Sequence, residues 1–423
     1  MSWFKALRMG GQPNQTGAQN SESPRAPVLD APGPGLFAYG RQRLTPLTRF
    51  EDIPVVPVSQ ETGMVLLGGP VWENWPQSGA LRHNRSGIPV DRKPPVPGGG
   101  LTDFTAPATW GGHAVPHFGH FIVEHSTRIL QARVEHGAKK MLFTLPPGHT
   151  ADQIPAFFWQ ILAWYGVETG NVSFVTAPLR VRELWAAPMA EQWAHVPTSE
   201  DYLSLLSENS AARGLKTKRN AIVYVARDRM EATAEGHNAG EPYLVSVLQR
   251  LGVTVIRPET LSLRDQLAYY QGAETLIFAE GSALHGLQLL GRRDQTVVVL
   301  NRRPNMRIGL SAIQPRVTTL AYAEVTRGTA AVLWPNGNPW IVRAISLYDV
   351  DCLPATFGRL GVPLSRVWDN AAYLAARDHG IRTWIRLRFD PRVTIDHPAS
   401  ARRVRQEFTA LGLTEFLDEL PPG

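Results

Sequence analysis

The run Ala279-Glu280-Gly281-Ser282-Ala283-Leu284-His285 places a carboxylate, a glycine, a hydroxyl and an imidazole side by side. It lies where an apolar strand pattern, T-L-I-F-A (275–279), gives way to a helical one, Ser282 to Leu290. In open α/β sheets such a strand end opens on the ligand crevice, and the helix that follows offers free N–H groups and a partial positive charge. Gly281 lets a backbone approach closely, Ser282 can cap the helix or bond a phosphate oxygen, and Glu280 and His285 flank the crevice. The same residues also suit a plain strand–turn–helix with a serine cap.

A second strand end is Tyr224-Val225-Ala226-Arg227-Asp228-Arg229. An arginine just past the first strand of a doubly wound domain points into the same crevice. Its planar, always-charged guanidinium suits a diphosphate that gains charge as it leaves. Arg229 offers the same chemistry, or a solvated pair with Asp228. The third cluster is His113, His117, His120 and Glu124, in G-G-H-A-V-P-H-F-G-H-F-I-V-E-H. On one helix these would line a single face and suggest a metal site. Pro116 and Gly119 argue against a continuous helix, and no H-E-x-x-H order is present, so no metal is expected. A helix starting at about Phe118 sets His120 and Glu124 one turn apart, where they can orient a sugar hydroxyl or take its proton. A histidine at a helix start is also a common structural residue.

The elements that must position these groups alternate. Phe118 to His136 has helical spacing, M-L-F-T-L (141–145) is a short strand, Pro155 to Tyr165 a helix, and N-V-S-F-V (171–175) and V-R-E-L-W (181–185) are strands. A polar bridge, Thr198 to Asn220, carries the expected domain boundary. Beyond it come strands at 221–226, 253–256, 275–279 and 296–300, with helices at 242–251, 263–270 (Ser262 as N-cap) and 282–290. Apolar runs without alternation mean strands covered on both faces, hence an α/β class with a doubly wound sheet. Residues 1–35 read as a disordered lead-in, 36–210 as a first α/β domain, 211–340 as a second, and 341–423 as an extension packing back on them. Within the extension, helical patterns recur near 367–379 and 400–411, and 84–100 is a hinge or surface loop.

Composition narrows the classes. The chain has 423 residues, 43% hydrophobic and 19% charged, enough for two or three cored domains. Its net charge of +6 is not concentrated in any basic run, so no nucleic-acid partner is expected. Only six basic residues are lysine, which leaves arginine, the bidentate anion binder, to supply the positive charge. The single cysteine, Cys352, rules out an intramolecular disulfide and fits a reducing compartment. No stretch approaches the ~18 apolar residues of a membrane span, and no secretory pattern opens the chain. The expectation is a cytoplasmic protein, whose opening M-S-W-F-K-A-L-R reads first as a frayed terminus and second as a peripheral contact with the inner membrane. The absence of G-x-G-x-x-G, Walker A and G-x-S-x-G sequences counts against dinucleotide, ATPase and hydrolase functions, a Rossmann oxidoreductase included.

G-H-F-I-V-E-H-S-T-R-I-L (119–130) resembles the G-H-F-x-x-E-x-x-x-R-L signature of glycosyltransferase family 61. Y-V-A-R (224–227), R-P-E-T-L-S-L-R-D-Q (257–266) and A-E-G-S-A-L-H-G-L (279–287) follow in the family's order, so the resemblance covers about 110 to 300. It implies a GT-B architecture, two Rossmann-like doubly wound domains facing a cleft, and an inverting, metal-independent transferase. A nucleotide-sugar is the donor and a saccharide or lipid-linked hydroxyl the acceptor, in capsular or surface polysaccharide assembly, with no cofactor. Glu124 and His120 are the catalytic candidates implied. Arg227, Glu280, Gly281, Ser282 and His285 fall on the donor side, and His117, Gly119 and Arg128 on the acceptor side. The chain departs from the family with Glu280 where many members have histidine, His285 offering the replacement imidazole. Asn238 and Glu241 are also more widely separated than the family's N-E pair. These departures motivate an alternative, an inactive sugar- or nucleotide-binding scaffold.

Overall fold

The computed structural model describes residues 29–30, 43–62, 65–75, 78–85, 88–137, 139–191 and 198–423. In the second half, runs rich in Val, Ile and Leu form five parallel strands: Asn220–Val225, Thr254–Ile256, Ala273–Ala279, Arg293–Leu300 and Val317–Ala323. Across the sheet they lie in the order 317–323, 293–300, 273–279, 220–225, 254–256. The chain therefore moves outward from 220–225 to 254–256, then crosses back to place 273–279 on the other side of its starting strand. The order reverses between 220–225 and 273–279, which is where a sheet of this kind leaves a crevice beyond its carboxyl ends. Alternate residues face opposite sides. Val223, Val225, Leu276 and Phe278 enter one apolar cluster, and Tyr224, Ile277 and Val298 enter another. Both faces are covered, so the strands read as unbroken apolar runs.

The connecting helices start as their sequences dictate. Pro242 stands in the first turn of Glu241–Arg250, where its missing N–H is no loss. Ser262 accepts the Asp265 N–H at 3.1 Å and so caps Leu263–Gly272.

The first half holds a mixed sheet. Ala108–His113, Lys140–Thr144 and Val172–Val175 are parallel neighbours, and Leu179–Ala186 lies parallel to Ala108–His113 on its other side. Thr48–Thr62 then pairs antiparallel with Leu179–Ala186 and with Val65–Pro70. The expected strands are present, but this hairpin makes the sheet mixed, where a second purely parallel sheet was anticipated. The segment from Phe118 is helical in four pieces: α over Phe118–His120, π over Phe121–His125, 3₁₀ over Ser126–Arg128, and α over Ile129–His136.

One apolar cluster joins the halves. It runs from Phe121, Phe158 and Tyr165, through Tyr202 and Leu206, to Leu267, Tyr270 and Leu284. Tyr202 and Leu206 belong to the helix Glu200–Ala212, so the polar bridge expected to hold the boundary carries a buried face. Two polar ties cross the same contact: Trp164 Nε1–H donates to the Leu289 carbonyl at 3.0 Å, and the Leu263 N–H donates to Gln160 Oε1 at 2.7 Å.

Within 341–423, Ile345–Tyr348 lies between His237–Ala239 and Thr326–Ala330, and Ile381, Trp384 and Phe408 of two long helices pack over that small sheet. The extension thus rests on the second half. Of the expected lead-in, Leu29–Asp30 pair antiparallel with Tyr322 and Ala323, and the rest lies outside the described residues. No helix among the described residues is long and apolar enough to cross a membrane.

Replacing Trp164 by Phe keeps most of the packing but leaves the buried Leu289 carbonyl without its donor. Stability in urea should fall by about 1–3 kcal/mol, and an unchanged midpoint would show that this tie does not fasten the halves.

Candidate active site

Arg227 and Gly281 leave neighbouring strands at the reversal point and meet. Arg227 is anchored at both ends: its backbone N–H donates to Glu241 Oε1 at 2.8 Å, and its Nε and Nη2 donate to the Gly236 carbonyl at 3.2 and 2.8 Å. Its Nη1 lies against Gly281, where a Cβ would come within 2.2 Å of it. Gly281 is extended (φ 176°), so the site asks for glycine on grounds of space, not of backbone conformation. Burial lowers the affinity of Arg227 for its proton, opposed by Glu241 and Glu280. Glu241 is itself fully buried, and burial pushes its carboxyl up to about 7 against the hydrogen bonds from Arg227 and Tyr224. Arg229, by contrast, is exposed, and Asp228 pairs with Arg257 at 2.7 Å.

Glu280 is fully buried and turned inward. Its Oε2 accepts the backbone N–H groups of Arg302 and Arg303, each at 2.9 Å, and its Oε1 pairs with the Arg303 guanidinium. It fastens the 301–303 loop, and so places two further cations beside Arg227. Arg302, which donates to the Ala344 carbonyl at 3.2 Å, is pushed down to about 9 by burial and by Arg303 and Arg227. Sequence reading missed both; N-R-R-P after the 293–300 strand was the one available sign.

From the first half, Gly119 packs directly on this turn. A Cβ there would lie 3.2 Å from Ser282 Oγ and from His285 Cδ2. Next to it, His120 Nδ1 is 2.6 Å from Glu124 Oε1. The π turn at Phe121–His125 carries Glu124, and such turns gather at functional sites. Glu124 is held from further directions. Arg85 donates to both its oxygens at 2.7 Å, and His83 Nε2 stands 3.1 Å from Oε2. Burial alone would raise this carboxyl, but the bonds from His120, His83 and Arg85 outweigh it and hold it well below the ordinary range. A carboxylate so engaged is a poor base and a good orienter of His120. No local pattern marks His83 and Arg85; only the fold carries their loop to Glu124.

His117 is the helix cap, its Nδ1 accepting the His120 N–H at 3.2 Å, with the two rings 4.5 Å apart. Arg128 is buried and donates to the carbonyls of Leu81 and Arg82 at 3.0 and 3.3 Å. It holds the segment that delivers His83 and Arg85, and it does not reach the turn at 281–282. His285 is half-buried, its Nδ1 2.7 Å from Gln288 Oε1.

Among the described residues, His83, Glu124 and His125 bring potential metal-ligand atoms within 4.8 Å of one another. Their geometry suits a hydrogen-bonded cluster better than an ion. Both Glu124 oxygens face the Arg85 guanidinium, His125 Nδ1 already accepts the His113 N–H at 3.2 Å, and the His83 and His125 rings are stacked 4.4 Å apart at 2°. Lone pairs in parallel planes do not converge on one point.

His237, next to Gly236, is 1% exposed, and burial pushes it down to about 4, with Arg302, Arg227 and Arg388 adding to the effect and the Glu235 carbonyl opposing it. Between pH 6.5 and 4 the unfolded chain takes up a proton that the folded one refuses, so stability falls as pH drops through that window. Going from pH 7 to 5, this one group should remove about 2 kcal/mol. In urea titrations His237→Gln should lose that much less over the same interval; an equal loss would exclude His237 as a source.

No curated protein matches the chain. Residues 118–299, which carry the His120–Glu124 pair, Arg227 and the Gly281 turn, match the model of the family Glycosyltransferase 61.

Proposed function

We propose that the chain is an inverting glycosyltransferase that moves a sugar from a nucleotide-sugar to an acceptor hydroxyl. The observation that carries this reading is the contact of three elements at one place: the Arg227 guanidinium, the Gly281–Ser282 turn, and the His120-bearing helix start seated on that turn. The reaction makes one bond, from the acceptor oxygen to the anomeric carbon, and breaks another, from that carbon to the diphosphate oxygen. The leaving diphosphate keeps the electron pair. Arg227, Arg302 and the helix start at Ser282 supply positive potential for it without a metal. The acceptor's proton goes to His120, with Glu124 fixing the ring through Nδ1 and stabilising the imidazolium that forms. Glu124 is thus an orienting group, and Glu280 a support for the arginine loop, so the Glu280 departure is not in itself an argument for an inactive scaffold. A saccharide or lipid-linked acceptor and a role in capsular or surface polysaccharide assembly are what the family resemblance implies, and a cytoplasmic place, peripheral to the inner membrane, is the reading of the sequence itself.

Thermal shifts with UDP, GDP, CDP and ADP in chelator test the reading. A diphosphate present at about a hundred times its Kd stabilises by ~2.7 kcal/mol, so one of them should raise the melting temperature clearly. No response to any would overturn the proposal. Arg227→Ala should abolish that response and lower turnover by ~10²-fold or more; unchanged turnover would remove Arg227 from the mechanism. Glu124→Gln should lower kcat while leaving diphosphate binding intact, since it acts through His120 on the other side of the cleft.

A further inference from the structure

His285 ends a buried polar chain that the mechanism above does not use. Arg316, 1% exposed, pairs through Nη2 with Glu191 Oε1, and also donates to Thr198 Oγ1 at 3.0 Å and to the Leu290 carbonyl at 3.1 Å. Glu191 Oε2 stands 2.5 Å from Gln288 Nε2, and Gln288 Oε1 stands 2.7 Å from His285 Nδ1. Only one proton arrangement satisfies this chain. An ion-paired carboxylate accepts and cannot donate, so Gln288 must turn its NH₂ toward Glu191. Its carbonyl oxygen then faces His285, and that oxygen can only accept, so Nδ1 carries the ring proton and Nε2 keeps its lone pair. Burial pushes the imidazole down to about 4, with His120 and Arg303 lowering it further and Gln288 and Glu124 opposing, so the ring is neutral at working pH. Nε2 lies between Cδ2, 3.2 Å from where a Cβ on Gly119 would stand, and Cε1, 3.7 Å from where one on Gly309 would stand, and it has no partner among the described residues.

We propose that His285 presents this bare Nε2 as a fixed hydrogen-bond acceptor for a hydroxyl of the donor sugar, and that Gln288 is the positioning residue that holds the tautomer. The inference rests on the glycosyl-transfer reading of the cleft. His285 stands on the same short helix as Ser282, one turn further on, so a sugar attached to a diphosphate at the helix start falls within its reach. A free imidazole samples both tautomers, and the Nε2–H form would present a donor where the hydroxyl needs an acceptor. The Arg316–Glu191–Gln288 chain removes the choice.

The test is long-range ¹H–¹⁵N spectroscopy of the full chain labelled at histidine, with His285 assigned by its loss in His285→Gln. The free protein should show His285 protonated at Nδ1 alone. A protonated Nε2 would overturn the proposal without recourse to any further variant. Gln288→Met, similar in length but unable to hydrogen-bond, should return the ring to a mixture of tautomers; an unchanged spectrum would remove Gln288 from the role. UDP-glucose, UDP-N-acetylglucosamine and GDP-mannose are then compared with UDP and GDP. A sugar nucleotide that binds should move the Nε2 resonance upfield where its parent diphosphate does not, and Gln288→Met should raise its KM about five- to tenfold with kcat little changed. A sugar nucleotide that binds without moving Nε2 overturns the acceptor role. Failure of every diphosphate and sugar nucleotide to bind overturns the glycosyl-transfer reading, while the free-protein spectrum still decides the tautomer.

Discussion

Arg227 occupies the space that a side chain at position 281 would take, and the architecture around the cleft follows from that close approach. Two strand ends can converge so tightly only where the sheet order reverses and no crossover helix stands between them. The guanidinium must also stay put without a carboxylate of its own. The Gly236 carbonyl holds the head group and the Glu241 carboxyl holds the residue's backbone N–H, and this leaves Nη1 turned to the turn at 281. A guanidinium paired directly to an acid would already have its charge met; one tied to a carbonyl keeps its charge for a ligand.

Two buried carboxyl groups show how partners decide what burial does. Glu124 and Glu241 are both removed from water, yet one is held well below its ordinary range and the other is pushed up to about 7. Glu124 meets a bidentate guanidinium and two imidazoles, whereas Glu241 meets a backbone amide and a phenol. Desolvation acts in the same direction in each; the bonds from His120, His83 and Arg85 overcome it at Glu124, and those from Arg227 and Tyr224 do not at Glu241. The result is a firm negative charge behind His120 and a softened one behind Arg227.

Much of this was legible in the sequence, and the reasons for the rest are physical. Strands covered on both faces write themselves as unbroken Val/Ile/Leu runs, so the 220–300 region could be read almost element by element, down to the Ser262 cap. The pairing of His120 with Glu124 was readable because it is local, four residues apart on one turn. What escaped was whatever the fold brings from afar. Arg85 reaches Glu124 across 39 positions of sequence, out of a stretch whose prolines and glycines say only that it is irregular. Glu280 was misplaced for the opposite reason: its position in a donor-type motif is local, but whether a side chain at a strand end faces the crevice or the loop behind it depends on Arg302 and Arg303, which no spacing announces. The hairpin over 48–70 likewise joins its sheet through a partner more than a hundred residues away.

The apolar seam between the halves limits how far they can move apart. Swinging the two sheets apart like jaws would carry Phe158, Tyr202, Leu267 and Leu284 into water together, a cost that grows with every square ångström uncovered. A molecule welded along its spine in this way holds its two sheets at a fixed spacing, so the cleft of the proposed function is entered from its rim and not by a hinge.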